Sequence, residues 1–348
     1  MLFALFATVV VAAPAELSVL FPSAERDRVE TDLRRLTGHD PVEGVAIRSR
    51  SIHHPQIDVA ATWLQEQLAG IDGVTVRTET FEADGESGLF NIVGEMPGTE
   101  PLPWVVVGAH YDSTANLDAA WTDPSVQEAP GADDDASGVA VVLEIARLLS
   151  VGTYRHPVRF ILFSAEEVGL VGAYHHVDGV VGAGEDVEVA IILDPVGYDP
   201  GGAGYLWFSY DDRWADGADA IESFALEVAP DALQVVGMDA ALIGGDARSD
   251  HYPFWLAGFE AVHFGTFPQP PSYHTMGDDL DVVDLDFVRN VAGFGAAYTA
   301  YRADPVVGSV QSGDPSTGAC ACQAGPAVGW GWGWLLAAWA VRRRRFDG

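Results

Sequence analysis

Five short stretches of this chain carry side chains able to bind metal ions or move protons. Ala109-His110-Tyr111-Asp112 follows an apolar run at 104–108, and Ser164-Ala165-Glu166-Glu167 follows another at 158–163. Asp194 closes a third run at 189–193, and Tyr273-His274-Thr275 lies beyond a fourth at 261–264. The fifth stretch, Gly131-Ala132-Asp133-Asp134-Asp135-Ala136-Ser137-Gly138, sets three acids directly before a segment of helical periodicity. Imidazoles and carboxylates hold zinc, and the same groups serve as general acids and bases. Singly, each stretch also has a plain reading: a polar strand end, an N-cap cluster at Asp133, Asp134 and Asp135, a solvated helix start at Glu166-Glu167, or a strand terminator at Asp194-Pro195. Their shared setting argues for chemistry.

That setting is a series of strands. Runs so short and so apolar belong to central strands covered on both faces. Residues 74–81 alternate like a strand, and 89–94 suggest another. Helical spacing marks 56–68, through Ile57, Ala60, Ala61, Leu64 and Leu68, as well as 137–149 and 224–228. Strands alternating with helices predict an α/β protein, a three-layer α/β/α sandwich around a mixed, mostly parallel central sheet. Sites in open α/β sheets form just outside the carboxyl ends of the strands. Three strands therefore deliver His, Glu and Asp to one edge.

Composition narrows the partners. The 348 residues hold 51 acids and 18 bases, a net charge of −33, and every base is arginine. The last 29 residues carry +3, so the remainder carries −33 − 3 = −36. So acidic a body repels phosphate backbones, and nucleic acid is excluded as a partner. The two cysteines, Cys320 and Cys322, lie far down the chain, so a metal in the first 300 residues must rest on His and carboxylate.

The ends read as addresses. Residues 1–15 form an apolar run ending in small residues, the pattern of an export signal, although the usual basic n-region is missing. Residues 16–305 form the catalytic domain in this reading. Residues 306–326 read as a linker, and 327–348 as a tail in which an apolar, Trp-rich stretch precedes arginines at 342–345. A cationic stop beside an apolar stretch suits membrane contact, and the expected location is the cell envelope or the exterior. Linker, apolar stretch and arginine cluster together resemble the C-terminal sorting tails of myxobacteria.

The motifs of the body carry a second resemblance. Val-Val-Gly-Ala-His-Tyr-Asp-Ser (106–113), Gly-Ala-Asp-Asp-Asp-Ala-Ser-Gly (131–138), Ala-Glu-Glu-Val-Gly-Leu (165–170), Ile-Leu-Asp (192–194), Arg-Ser-Asp-His-Tyr-Pro-Phe (248–254) and Tyr-His-Thr (273–275) resemble the co-catalytic zinc aminopeptidases of metallopeptidase family twenty-eight. The resemblance runs in order across most of residues 40–302. It implies a phosphorylase/hydrolase-like zinc exopeptidase fold and two zinc ions per chain, with cobalt or manganese as possible substitutes. His110 and Asp194 would hold one ion, Glu167 and His274 the other, and Asp134 would bridge both. Glu166 would be the general base, Asp112 would orient the His110 imidazole, and Asp135 would shape the turn that presents Asp134. Asp250 and His251 match a motif outside the ligand set and are expected to hold their loop. The substrates implied are peptide or protein N-termini, with a hydrophobic first residue expected.

Two zinc ions about 3.5–4 Å apart can share a hydroxide and clamp both oxygens of a tetrahedral intermediate. Glu166, adjacent to a ligand but pointing elsewhere, is placed to take the proton from water and return it to the leaving amine. One stretch departs from the family pattern. Gly244-Gly245-Asp246-Ala247-Arg248 holds neither the cysteine pair nor the tyrosine that leucyl aminopeptidases can carry there, and Asp246 or Arg248 could tune substrate choice instead. Alternatives on the same fold are a carboxypeptidase or dipeptidase, for which Arg248 is the one cation near a site motif, and a glutaminyl-cyclase-like enzyme with a single zinc. A non-catalytic envelope binding module would be expected to lose ligands, and all of them are present.

Overall fold

The computed structural model describes residues 17–243, 245–306 and 309–310. The expected signal (1–15) and tail (327–348) lie outside the described residues, as does the expected linker apart from Val306, Ser309 and Val310. Eight strands form one sheet: β1 (Thr75–Ala83), β2 (Glu86–Met96), β3 (Trp104–His110), β4 (Val158–Phe163), β5 (Val187–Leu193), β6 (Tyr205–Tyr210), β7 (Gln234–Asp239) and β8 (Ala261–Gly265). Their order across the sheet is β1-β2-β4-β3-β5-β8-β6-β7. The pairs β3–β4, β3–β5, β5–β8 and β6–β7 are parallel, while β1–β2, β2–β4 and β6–β8 are antiparallel. The mixed, mostly parallel sheet matches the expectation.

Period-two alternation splits the central strands between two apolar layers. Val105, Val107, Phe160, Leu162, Val189 and Ile191 face one side, and Val106, Ile161, Phe163, Ala190 and Ile192 the other. The first side is covered by α1 (Arg26–Leu36), α2 (Gln56–Ala69), α3 (Gly138–Leu149), α5 (Ala215–Val228) and α7 (Leu285–Arg302). The second, thinner layer is made by α4 (Val171–Ala183) and α6 (Tyr252–Ala257). Because both faces are covered, β3, β4 and β5 are buried along almost their whole length.

Six of these elements lacked a sequence signal: α1, α4, α6, α7, β6 and β7. Helix α7 is buried on nearly every side, so it has no polar face to betray a helical period, and its start is fixed by Asp284, whose carboxylate accepts from the Asp286 and Phe287 amides. The aromatic-rich β6 has an apolar run only at 205–208, and the half-exposed edge strand β7 has neither a continuous apolar run nor clean alternation. Among the described residues, no helix is long and apolar enough to cross a membrane.

Candidate metal centre

Strands β4, β3 and β5 are consecutive neighbours, and their carboxyl ends carry the predicted residues. His110 is the last residue of β3 and pairs in register with Phe163, the last of β4. Glu166 and Glu167 follow β4, and Asp194 follows β5 with its amide held by the Phe264 carbonyl of β8. The three acids sit in an irregular turn, Ala132–Ser137, in which Asp134 and Asp135 have non-helical dihedrals. Gly131 enters this turn at φ +54°, where a Cβ would lie 2.4 Å from the Asp134 carbonyl oxygen, so only glycine fits. At the exit, Gly138 lets α3 start against the end of β5, since a Cβ there would meet the Leu193 carbonyl at 2.3 Å.

Two buried groups brace this arrangement. Asp278 accepts from the amides of Asp133 and Asp134, each at 3.0 Å. Arg50, completely buried, donates to the carbonyls of Leu36, Tyr111, Pro130 and Gly131, tying the His110 strand end to the turn that carries Asp134. Burial lowers the Arg50 guanidinium to about 10 and raises Asp278 to about 7.

Asp134 lies between two imidazoles. Its Oδ1 is 3.0 Å from His110 Nε2, and its Oδ2 is 2.9 Å from His274 Nε2. Each imidazole faces a second carboxylate as well: Asp194 Oδ1 is 3.4 Å from His110 Nε2, and Glu167 Oε2 is 3.3 Å from His274 Nε2. All five predicted ligands therefore converge as two triads that share one carboxylate. Glu166 is alongside, with a carboxylate oxygen within 4.8 Å of donor atoms of His110 and Glu167.

The donor set fits cations. His110 Nδ1 donates to the Asp112 carbonyl at 3.1 Å, so in the neutral ring the Nε2 lone pair would face Asp134 and Asp194, acceptors that offer it no proton. Donors held about 2.0–2.2 Å from one tetrahedral cation stand about 3.3–3.6 Å apart, as the spacings to Asp194 (3.4 Å) and Glu167 (3.3 Å) do, while the two to Asp134 (3.0 and 2.9 Å) are shorter. Asp134 Oδ1 and Glu167 Oε1 are buried with no hydrogen-bond partner. Burial, then the neighbouring carboxylates, push Glu167 well above the ordinary carboxyl range. Burial does the same to Glu166 although His110 opposes it. At His110 burial opposes the charge, but Asp194 and Glu166 outweigh it and raise the imidazole well above its usual range. Asp134, desolvated yet flanked by His110 and His274, is held below the carboxylate range. When ionised, the three ligand carboxylates and Glu166 would carry four negative charges, which two divalent ions would balance.

The remaining residues support this centre. The Asp112 carboxylate accepts from the amides of Glu166 (3.1 Å) and Glu167 (3.2 Å), while its Oδ1 stays 3.6 Å from His110 Nδ1. Asp135 accepts from the His110 and Gly138 amides, joining β3 to the turn. His251 holds its loop through the Asp246 carbonyl, and burial with the nearby His263 lowers its imidazole to about 3. Asp250 behaves differently from the loop residue expected: both its oxygens are buried without a hydrogen-bond partner, and burial raises it well above the carboxyl range. His263 on β8 spans Asp246 Oδ2 (3.0 Å) and the Asp194 carbonyl. Arg50, Asp278 and His263 were not singled out in the sequence. Their partners lie up to 145 residues away, and no local pattern announces such bonds.

The carboxyl edge of the sheet thus gathers two imidazole–carboxylate triads that share Asp134. The profile described as Peptidase family M28 matches residues 91–299, and the chain belongs to that family. Aminopeptidase YwaD of Bacillus subtilis is 29% identical over 221 residues, covering 61% of this chain and 45% of that protein. Leucine aminopeptidase 1 of Ajellomyces capsulatus is 32% identical over 212 residues, covering 56% of this chain and 51% of that protein. The chain thus spans about half the length of the curated relatives it matches. The LapA aminopeptidase of Legionella pneumophila superposes with a TM-score of 0.70 at 21% identity, over 84% of this chain and 76% of that one. A glutaminyl cyclase of Bacteroides thetaiotaomicron does so with 0.64 at 19% identity, over 80% and 98%. Both share the fold.

Proposed function

We propose that this chain is a two-zinc aminopeptidase that releases N-terminal residues from peptides. The observation that carries the reading is the placement of Asp134, whose two oxygens each meet a different imidazole backed by its own second carboxylate. His110 and Asp194 would hold one ion and Glu167 and His274 the other, with Asp134 common to both sets; cobalt or manganese would suit the same donors. Ions held there would supply Lewis acidity and lower the pKa of water toward neutrality. Glu166 accepts the proton from the attacking water and passes it to the departing amine. Asp112 accepts from the amides of Glu166 and Glu167, and the Glu166 carboxylate lies within 4.8 Å of donor atoms of His110 and Glu167. The acidic surroundings attract a free α-amino group. Apolar walls at Trp207, Phe208, Met238 and Phe267, in the cavity that Asp194 also lines, suit a first side chain with a hydrophobic body. The relatives named aminopeptidases support the same assignment. Export to the envelope or exterior, with membrane contact through the tail, rests on the apolar segments at 1–15 and 327–341.

Replacing Glu166 with Gln tests the proton-transfer role. The Glu166→Gln protein should keep two ions per chain while kcat on an aminoacyl anilide falls by about 10²–10⁴-fold. Undiminished turnover would remove Glu166 from the mechanism.

A further inference from the structure

The cavity beside Asp194 is apolar along Trp207, Met238 and Phe267 and polar at one side, where Asp246 and Arg248 line it. Asp246 itself is out of reach. Its side chain is 1% exposed, its Oδ2 accepts from Ser209 Oγ and His263 Nδ1, and its Oδ1 accepts from Arg248 Nε at 3.0 Å. Arg248 is the reverse case. Its side chain is 67% exposed, Asp246 fixes the guanidinium through Nε alone, and among the described residues Nη1 and Nη2 meet no hydrogen-bond acceptor. An ordinary surface arginine lacks such a base. Here a buried carboxylate, itself held by β6 and β8, sets the plane of a fork whose free donors match a carboxylate.

We propose that Arg248 selects substrates whose first side chain ends in a carboxylate, glutamate above all, binding that carboxylate through its two free nitrogens. The inference rests on the aminopeptidase reading and narrows it. The methylenes of glutamate lie along the apolar walls and its charge meets the guanidinium. A lysine side chain also suits the walls but meets a like charge, because Asp246 is shielded from it. Leucine fills the walls without using the fork.

The test compares kcat/KM of the zinc-loaded full chain on the p-nitroanilides of Glu, Gln, Leu and Lys, for the wild type, Arg248→Gln and Arg248→Glu. Glutamine has the shape of glutamate without its charge, so the Glu:Gln ratio isolates the ion pair. The ratio should exceed unity in the wild type, fall about tenfold in Arg248→Gln, and give way to a gain on Lys in Arg248→Glu. An equal ratio in wild type and Arg248→Gln overturns the proposal. A second source of the same chemistry is the C-terminal carboxylate of a dipeptide. If Arg248→Gln depresses Leu-Gly relative to Leu-Gly-amide and leaves Glu:Gln alone, the guanidinium serves that end and the side-chain assignment is wrong. Silence of the wild type on every anilide overturns the aminopeptidase reading itself, and this inference with it.

Discussion

A buried guanidinium is costly unless its N–H groups find acceptors, and Arg50 satisfies its own with four main-chain carbonyls. Two of those carbonyls belong to Pro130 and Gly131, immediately before the turn of Asp134, and one to Tyr111, between His110 and Asp112. The residue therefore fixes ligand-bearing backbone without touching a ligand. Arg50→Leu would leave those carbonyls buried and unpaired, and should lower unfolding free energy by about 3 kcal/mol or more, read as a shift in the urea midpoint. A midpoint within error of wild type would mean that the carbonyls find other partners. Three of the ligand types, His110, Glu167 and Asp194, were visible in the sequence because they come just after apolar runs, while Asp134 stood out through its acid triplet before a helix. The division of labour between Glu166 and Glu167 was not, since adjacent identical side chains differ only in direction; the family resemblance supplied it. Arg50, between two serines at 49 and 51, offered no local sign at all.

Strands whose two faces are both covered become nearly continuous apolar runs, broken only by single residues such as Arg159 in β4 and His263 in β8, which is why β3, β4, β5 and β8 could be located from sequence to within about two residues. The same burial hides helix α7, where apolar residues all round erase the period. At the sheet's other end, β1, β2 and α4 are joined by a polar tie. Glu79 on β1 accepts from His176 of α4 at 2.9 Å and from Arg77, and Asn91 on β2 bonds the Gly172 carbonyl. Burial opposes ionisation of Glu79, but His176 and Arg77 outweigh it and lower the carboxyl to about 2. A depressed carboxyl stabilises the fold above its unfolded value of about 4.5 and loses that contribution as pH falls toward 2. Glu79→Gln should therefore melt lower than wild type at pH 6, and the gap should close by about pH 2–3. A gap constant with pH would mean that packing, and not charge, holds the tie.

A molecule carrying −33 brings its carboxylates together only where cations or arginines meet them. The edge where β3, β4 and β5 end concentrates Asp112, Asp134, Glu166, Asp194 and Asp250 in buried positions, with Glu167 half-buried beside them, so ions in the proposed centre would also be structural. Stripping them with a chelator should lower the melting temperature by several degrees, because ligand at about 100-fold above Kd contributes about 2.7 kcal/mol. Zinc should restore both stability and turnover. Equal melting curves with and without chelator would separate the fold from the metal. The most direct check is to count ions: metal-free protein titrated with Zn²⁺ in a calorimeter, with elemental analysis of the product. Two ions per chain, with Asp134→Asn weakening both, is the predicted result. A stoichiometry of zero or one, or binding indifferent to Asp134, would contradict a shared carboxylate between two cations.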